Sequence, residues 1–455
     1  MALAVHEKWT SRWGFLFAAM GTAIGLGNLW RFPFIAGQYG GGAFVLVYLG
    51  FVFLLCMPIM IGELMIGRLG GGSALGSMRR LIAQAKASAL WQAIGWLSLL
   101  IPFVGLSYYS VVAGWAFFYG AEAALGDFSG LDGTGSAALF ARFTAQPAMM
   151  LLVHSLFMAA TIFIVGRGVA AGIESAAKRL MPALFILLLG LVIYNIFAGG
   201  FGEAFAFLFT PDFGKLSRAG VMAAMGQAFF SVAIGAGAMM VFGAYLGPRE
   251  SLPRSAAIII GADTAIALLA GLAIFPILFA NDLALASGPP LIFITLPVGF
   301  GQMPGGQGVG LVFFVLLFFA AFTTAIGMLE PVVCWLEERL SWRRGALSLM
   351  AGGAAWALGV LPLLSYNLLQ DLRPLAFMKA LAAKSIFESF DFVIATLLLP
   401  VNGLLIALFA GWVIARQQSV NELRLGKTSY GYWRIAVRVL APIAVLAILW
   451  HGLND

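Results

Sequence analysis

The sequence predicts an all-α polytopic membrane protein of about eleven spans, built as two five-helix inverted repeats whose first and sixth helices are broken. Three observations carry this. The 455 residues are 62% hydrophobic and only 10% charged, with a mean hydropathy of +0.99. A soluble core has no use for so much apolar surface, and the runs are far too long for barrel strands. The basic residues cluster at alternate loops. Finally, Ala23-Ile24-Gly25-Leu26-Gly27 and Ala233-Ile234-Gly235-Ala236-Gly237 nearly repeat one another, each in the middle of the first apolar segment of a set of five.

One membrane domain covers residues 1–455, with repeats at 12–198 and 220–415 and an additional span at 435–451. The spans read as 12–36, 42–67, 88–121, 148–165, 177–198, 220–246, 255–280, 308–338, 346–365, 391–415 and 435–451, to within roughly four residues. With the N-terminus in the cytoplasm, 19 of the 26 Lys and Arg fall on the inner side, among them Lys8, Arg68, Arg79, Arg80, Arg343 and Arg344. The net charge of +7 is therefore a topology signal of a multi-pass cell inner (plasma) membrane protein, not a nucleic-acid surface. An odd number of spans leaves the C-terminus outside. Cys56 and Cys334 lie in apolar spans and read as packing residues. The scattered His6, His154 and His451 suggest no metal cluster, and no paired His or Cys-His arrangement supports an enzyme. The first segment contains Asn28 and Arg31 and lacks a cleavage pattern, so it is no signal peptide.

Turn formers mark the longer outer segments at 122–147, 199–219, 281–307 and 366–390. Ser287-Gly288-Pro289-Pro290 and Pro304-Gly305-Gly306 read as loop hinges. Gly172 and Pro182, flanking the start of the fifth span, read either as a hinge or as helix-start punctuation.

A helix broken in the bilayer leaves backbone groups that something polar must satisfy. The half-helix beginning near Gly25–Gly27 aims N–H groups and a positive dipole end into the break, which suits a carboxylate. The half-helix ending near Gly21–Ala23 offers carbonyls, which suit a cation or an ammonium. The second break, around Ser231–Ala236, does the same in inverted orientation. A zwitterionic amino acid with sodium fits this set of partial charges. Asn28 beside the first break needs partners for its amide. Asp263, deep in an apolar run, costs several kcal/mol unless paired or protonated. Tyr109 by itself is an ordinary core tyrosine, and Thr323 and Thr324 by themselves could bond back to their own helix.

The stretch Gly21-Thr22-Ala23-Ile24-Gly25-Leu26-Gly27-Asn28-Leu29-Trp30-Arg31-Phe32-Pro33-Phe34 with Gly40-Gly41-Gly42-Ala43-Phe44 closely resembles the first span of the neurotransmitter:sodium symporter family. Glu63 with Gly67-Arg68, Tyr108-Tyr109, Gly226-Gln227-Ala228-Phe229-Phe230-Ser231 and Thr323-Thr324 extend the resemblance over nearly the whole chain. It implies the LeuT-like fold, no enzyme activity, and a sodium-coupled amino-acid symporter. It also implies two sodium sites. One uses the Ala23 carbonyl, Asn28, Ser231, Asp263 and the substrate carboxylate. The other uses carbonyls of Gly21, Ile24 and Ala320 with the hydroxyls of Thr323 and Thr324. All supply oxygen, which sodium prefers. The substrate carboxylate then meets the Gly27 N–H region and Tyr109, and its ammonium meets carbonyls near Ala23, Phe230 and Ser231.

Asp263 departs from relatives that carry a neutral amide there and use chloride, so transport is expected to be chloride-independent. Relatives that carry monoamines have an acidic residue at position 25, where this chain has Gly25. Gly105, Ala233 and Ala236 are small, and Phe230, Tyr109, Thr324 and Met328 complete an apolar pocket for large hydrophobic or aromatic side chains. By resemblance, Arg31 and Asp391 close the outer vestibule as an ion pair above Tyr109 and Phe230. Trp9, Tyr245 and Glu338 match the inner gate, with His6, Lys8 or neither as the partner of Glu338. The expected partners are an amino-acid substrate and the lipid bilayer, with no nucleic acid and no obligate protein partner. Each sodium crossing 100 mV contributes roughly 2.3 kcal/mol, and no nucleotide fingerprint points to ATP. A proton-coupled or sodium-independent carrier of the same architecture is the competing reading. A receptor or channel on this fold is a weaker one.

Overall fold

A computed structural model describes residues 7–284, 288–378 and 381–454. His6 and Ser287 lie outside the described residues. Nine described helices are long and apolar enough to cross a membrane, from Gly42–Gly70 to Lys427–Gly452. The first span, Arg12–Ala23 continuing at Gly27–Arg31 and Phe32–Gln38, and the sixth, Arg218–Ser231 continuing at Ala238–Ala244, complete the set. Both are interrupted where the glycine pairs stand.

Three starts differ from expectation, the tenth opening at Ile386 rather than 391 because Ser385 and Glu388 cap the helix there. The fifth span begins at Val169 rather than 177, because a wide turn over Val169–Glu174 leads into Ser175–Ala198. Pro182 lies inside that continuous helix, so it does not break the fifth span. The eleventh begins at Lys427 rather than 435. Lys427, Arg434 and the tyrosines lower its apolarity, yet Tyr430 and Trp433 are buried and anchor the extra turns.

Wide, π-helical turns recur, and proline explains most of them. Gly27–Arg31, Val52–Cys56, Leu291–Thr295, Phe392–Leu398 and Ala436–Leu440 each end two residues before Pro33, Pro58, Pro297, Pro400 or Pro442. Proline cannot donate to the carbonyl four residues back and its ring collides with it, so widening the preceding turn moves that carbonyl aside without ending the helix.

Glycine sets the closest packing around the core. A Cβ on Gly67 of the second span would fall on the Met240 carbonyl, and one on Gly243 would fall on that of Leu64. The second span and the second half of the sixth therefore touch backbone to backbone, the close approach small residues give membrane helices.

Candidate binding site

At the first break, Ile24 leaves helical geometry (ψ 100°) after its N–H reaches the Met20 carbonyl. At the second, Ala233, Gly235 and Gly237 all have positive φ, at 50°, 85° and 82°. Such a stretch cannot complete its own ladder, and the neighbours complete it. Glu63 of the second span accepts from Gly235 N–H at 3.2 Å and Gly237 N–H at 3.1 Å. Asn402 of the tenth span donates to the Gly235 carbonyl at 2.7 Å.

Both breaks face one cavity of about 470 Å³. Ala23, Gly25, Gly27, Tyr109, Phe230, Ser231, Ala233, Ala236, Thr324 and Met328, all expected at the substrate, line it together. Gly105 stands one layer behind: a Cβ there would lie 2.6 Å from Met328 Cε, a group on the cavity wall. Leu26 N–H donates to the Tyr109 hydroxyl at 3.4 Å, so an amide of the break and the phenol converge where a carboxylate is expected. A Cβ on Gly25 would meet Thr324 Oγ1 at 2.9 Å and the Tyr109 oxygen at 3.1 Å. Only glycine lets both hydroxyls reach the break.

Two oxygen-rich clusters flank the cavity. In one, Asn28 Nδ2 donates to Ser231 Oγ (3.0 Å) and Asp263 Oδ1 (2.9 Å), and Ser231 Oγ donates to Asp263 Oδ2 at 2.7 Å. Asn28 Oδ1 instead accepts from Gly25 N–H at 3.2 Å. Tyr48, unsuspected from sequence, donates to Ser231 Oγ at 3.2 Å. In the other, Thr324 Oγ1 lies 3.1 Å from the carbonyls of both Gly21 and Ile24. Thr323 Oγ1 bonds back to Phe319 and Ala320, at 2.9 and 3.1 Å. Gly21 lets this cluster form, since a Cβ there would meet Thr323 Cβ at 2.8 Å. Apart from the Asn28 amide, which presents its nitrogen, both sets offer oxygen, the chemistry a small hard cation such as sodium takes as cargo.

The gates differ in detail from expectation. Arg31 and Asp391 both line the cavity, but the Arg31 guanidinium sits 4.3 Å over the Phe230 ring, and Asp391 accepts from Tyr108 at 3.1 Å. The cavity reaches Gly288 and Pro289 in the loop beyond them. At the N-terminal end, Trp9 N–H reaches the Tyr245 carbonyl at 3.5 Å and its indole N–H reaches the Phe242 carbonyl at 3.1 Å. The carboxylate that takes the Tyr245 hydroxyl, at 2.7 Å, is Glu330. Glu338, expected at the inner gate, accepts from Ser73 N–H and Oγ at 2.7 and 2.5 Å and lies 4.0 Å from Arg80, tying this end to the loop after the second span.

Sequence reasoning missed Glu330 and its partner Arg344, which also pairs with Glu337 at 2.9 Å. It missed Glu174 too, which holds Thr10 and Ser11 against the fifth span. Glu63 entered only through the resemblance. The signal was present: a carboxylate within an apolar run marks a functional or gating position by default.

The model of the sodium:neurotransmitter symporter family matches residues 6–127 and 146–455. The chain belongs to that family. A Bacillus subtilis relative, described as the uncharacterized sodium-dependent transporter YhdH, is 36% identical over 97% of this chain and 96% of its own length. The Drosophila melanogaster sodium-dependent serotonin transporter is 25% identical over 98% of this chain and 77% of its own length. Among solved structures, MhsT in complex with L-phenylalanine superimposes with a TM-score of 0.89 at 38% identity, covering 98% of this chain and 100% of that one. The symporter is thus a multi-pass, LeuT-fold membrane transporter and not an enzyme, and sodium is its coupling ion.

Proposed function

We propose that this symporter imports hydrophobic and aromatic L-amino acids together with two sodium ions, without chloride, by alternating access. The observation that carries this is the pair of helix breaks facing one apolar cavity with two oxygen-rich clusters beside it. MhsT, with L-phenylalanine bound, supports an amino-acid substrate. The carboxylate docks at the Leu26–Gly27 amides and Tyr109, and the ammonium meets carbonyls of the two broken ends. One sodium sits among Ala23, Asn28, Ser231, Asp263 and the substrate carboxylate, once the Asn28 amide turns its oxygen inward. The other sits among Gly21, Ile24, Ala320, Thr323 and Thr324. Residues 12–198 and 220–415 are the two repeats that rock against each other, in the cell inner membrane with the N-terminus in the cytoplasm. Arg31 and Asp391 close the outer mouth after loading, and release of Trp9 and Tyr245 opens the inner one.

Thermal stabilisation of the purified protein by each of the twenty amino acids, in sodium and then in potassium, tests the reading. Tryptophan, phenylalanine, tyrosine, leucine and methionine are expected to stabilise it in sodium alone. Equal shifts in potassium would favour the sodium-independent or proton-coupled carrier.

Side-chain size gives a second test. Gly105→Val pushes Met328 into the cavity, and affinity for tryptophan is expected to fall ~10-fold or more, with leucine changed far less. Unchanged tryptophan uptake would remove the argument for a large pocket.

A further inference from the structure

We propose that Asn402 is a positioning residue that clamps the second helix break and thereby sets the fit of the pocket to side-chain size. This rests on the transport reading above and assigns a new role within the same site.

Asn402 is fully buried in the tenth span. Its Nδ2 donates to the Gly235 carbonyl at 2.7 Å and to Ser98 Oγ of the third span at 3.0 Å. Gly235, at φ 85°, turns its carbonyl out of any helical ladder. The residue is thus pinned from two sides, its N–H by Glu63 and its C=O by Asn402. A Cβ on Gly235 would fall 2.6 Å from the Leu399 carbonyl and 2.8 Å from Gly403 N. The break and the tenth span therefore meet with no side chain between them.

Asn402 Oδ1 is buried and has no hydrogen-bond partner among the described residues. An apolar side chain would fill the site without stranding an acceptor, so the amide serves as a donor. Ala233 and Ala236, on either side of Gly235, line the cavity, as do Leu399 and Ile394 of the tenth span. Asp391, at the cavity mouth, lies in the first turns of the same span, which runs Ile386–Val413. A bound side chain pressing on Ala233 and Ala236 displaces Gly235, and the clamp passes that displacement to the span that closes the mouth. The clamp lets the pocket register how much of it is filled.

Asn402→Leu keeps the volume and removes the donor. In sodium without substrate, hydrogen exchange at the amides of residues 232–238 is expected to quicken ~10-fold, with residues 21–27 unchanged. The tryptophan-to-leucine affinity ratio should shift ~5-fold or more, while the response to sodium alone stays within about twofold. Asn402→Gln keeps a donor on a longer arm and should restore slow exchange in part; if the leucine variant does not fold, the shifted ratio is read in the glutamine variant. Unaltered exchange at 232–238 in Asn402→Leu, an unaltered ratio in Asn402→Gln where only that variant folds, or equal losses for sodium and every amino acid, would overturn the clamp. Exchange is read without substrate, so a wild-type protein that bound no amino acid would sink the transport reading alone.

Discussion

Asp263→Ala is expected to lower sodium-dependent substrate affinity ~100-fold or more, about 2.8 kcal/mol. The carboxylate lies fully buried between Asn28 and Ser231. A sodium ion placed there with a zwitterion needs a fixed negative charge nearby, because water is excluded and cannot supply the screening. Asp263→Asn separates charge from shape: it keeps the volume and one of the two acceptor oxygens that Asn28 and Ser231 use, and loses the anion. Its uptake is expected to recover when chloride replaces gluconate, whereas the wild type should be indifferent to that exchange. Radiolabelled uptake into proteoliposomes measures both. A wild type that accelerates steeply with chloride would show that the carboxylate does not take the place of that anion.

Glu63→Ala is expected to be the most damaging change outside the ion clusters. Glu63 is fully buried and accepts both Gly235 N–H and Gly237 N–H. Its loss strands two buried donors, each costing ~1–3 kcal/mol, so about 4 kcal/mol together. Glu63→Gln keeps one acceptor oxygen and should recover roughly half of that. The check is the midpoint of thermal unfolding in detergent without substrate. A Glu63→Ala midpoint equal to that of the wild type would mean that the break finds its partners elsewhere. The same variant should also lose substrate binding, since Ala233 and Ala236 on the cavity wall belong to the stretch it holds.

The site was legible in sequence wherever local chemistry dictates it. Gly235 and Gly237 announce a break because glycine readily takes the positive-φ backbone found there, and Gly25 and Gly27 because a Cβ would crowd Thr324 and Phe230. Asn28 and Asp263 announce a polar cluster because neither can stand unpaired in an apolar run. The Tyr245 partner was not legible. Glu330 reaches the Tyr245 hydroxyl from 85 residues away, a pairing that depends on how its span is rotated. The mouth likewise depends on side-chain placement: Arg31 rests on Phe230 and Asp391 on Tyr108, neighbours that no spacing along the chain reveals.

By itself the sequence determined the membrane class, the positions of the spans and the two interruptions, because these follow from apolar length, charge placement and glycine within a few residues of each site. Only the tertiary structure decided which groups satisfy the interruptions. Ser98 and Asn402, joined across the second break, are 304 residues apart, and Asn28 meets Asp263 from 235 residues away. Such pairings are set by the tilt and rotation of packed helices, which arise from contacts such as Gly67 against Met240 and leave no periodic mark in the chain.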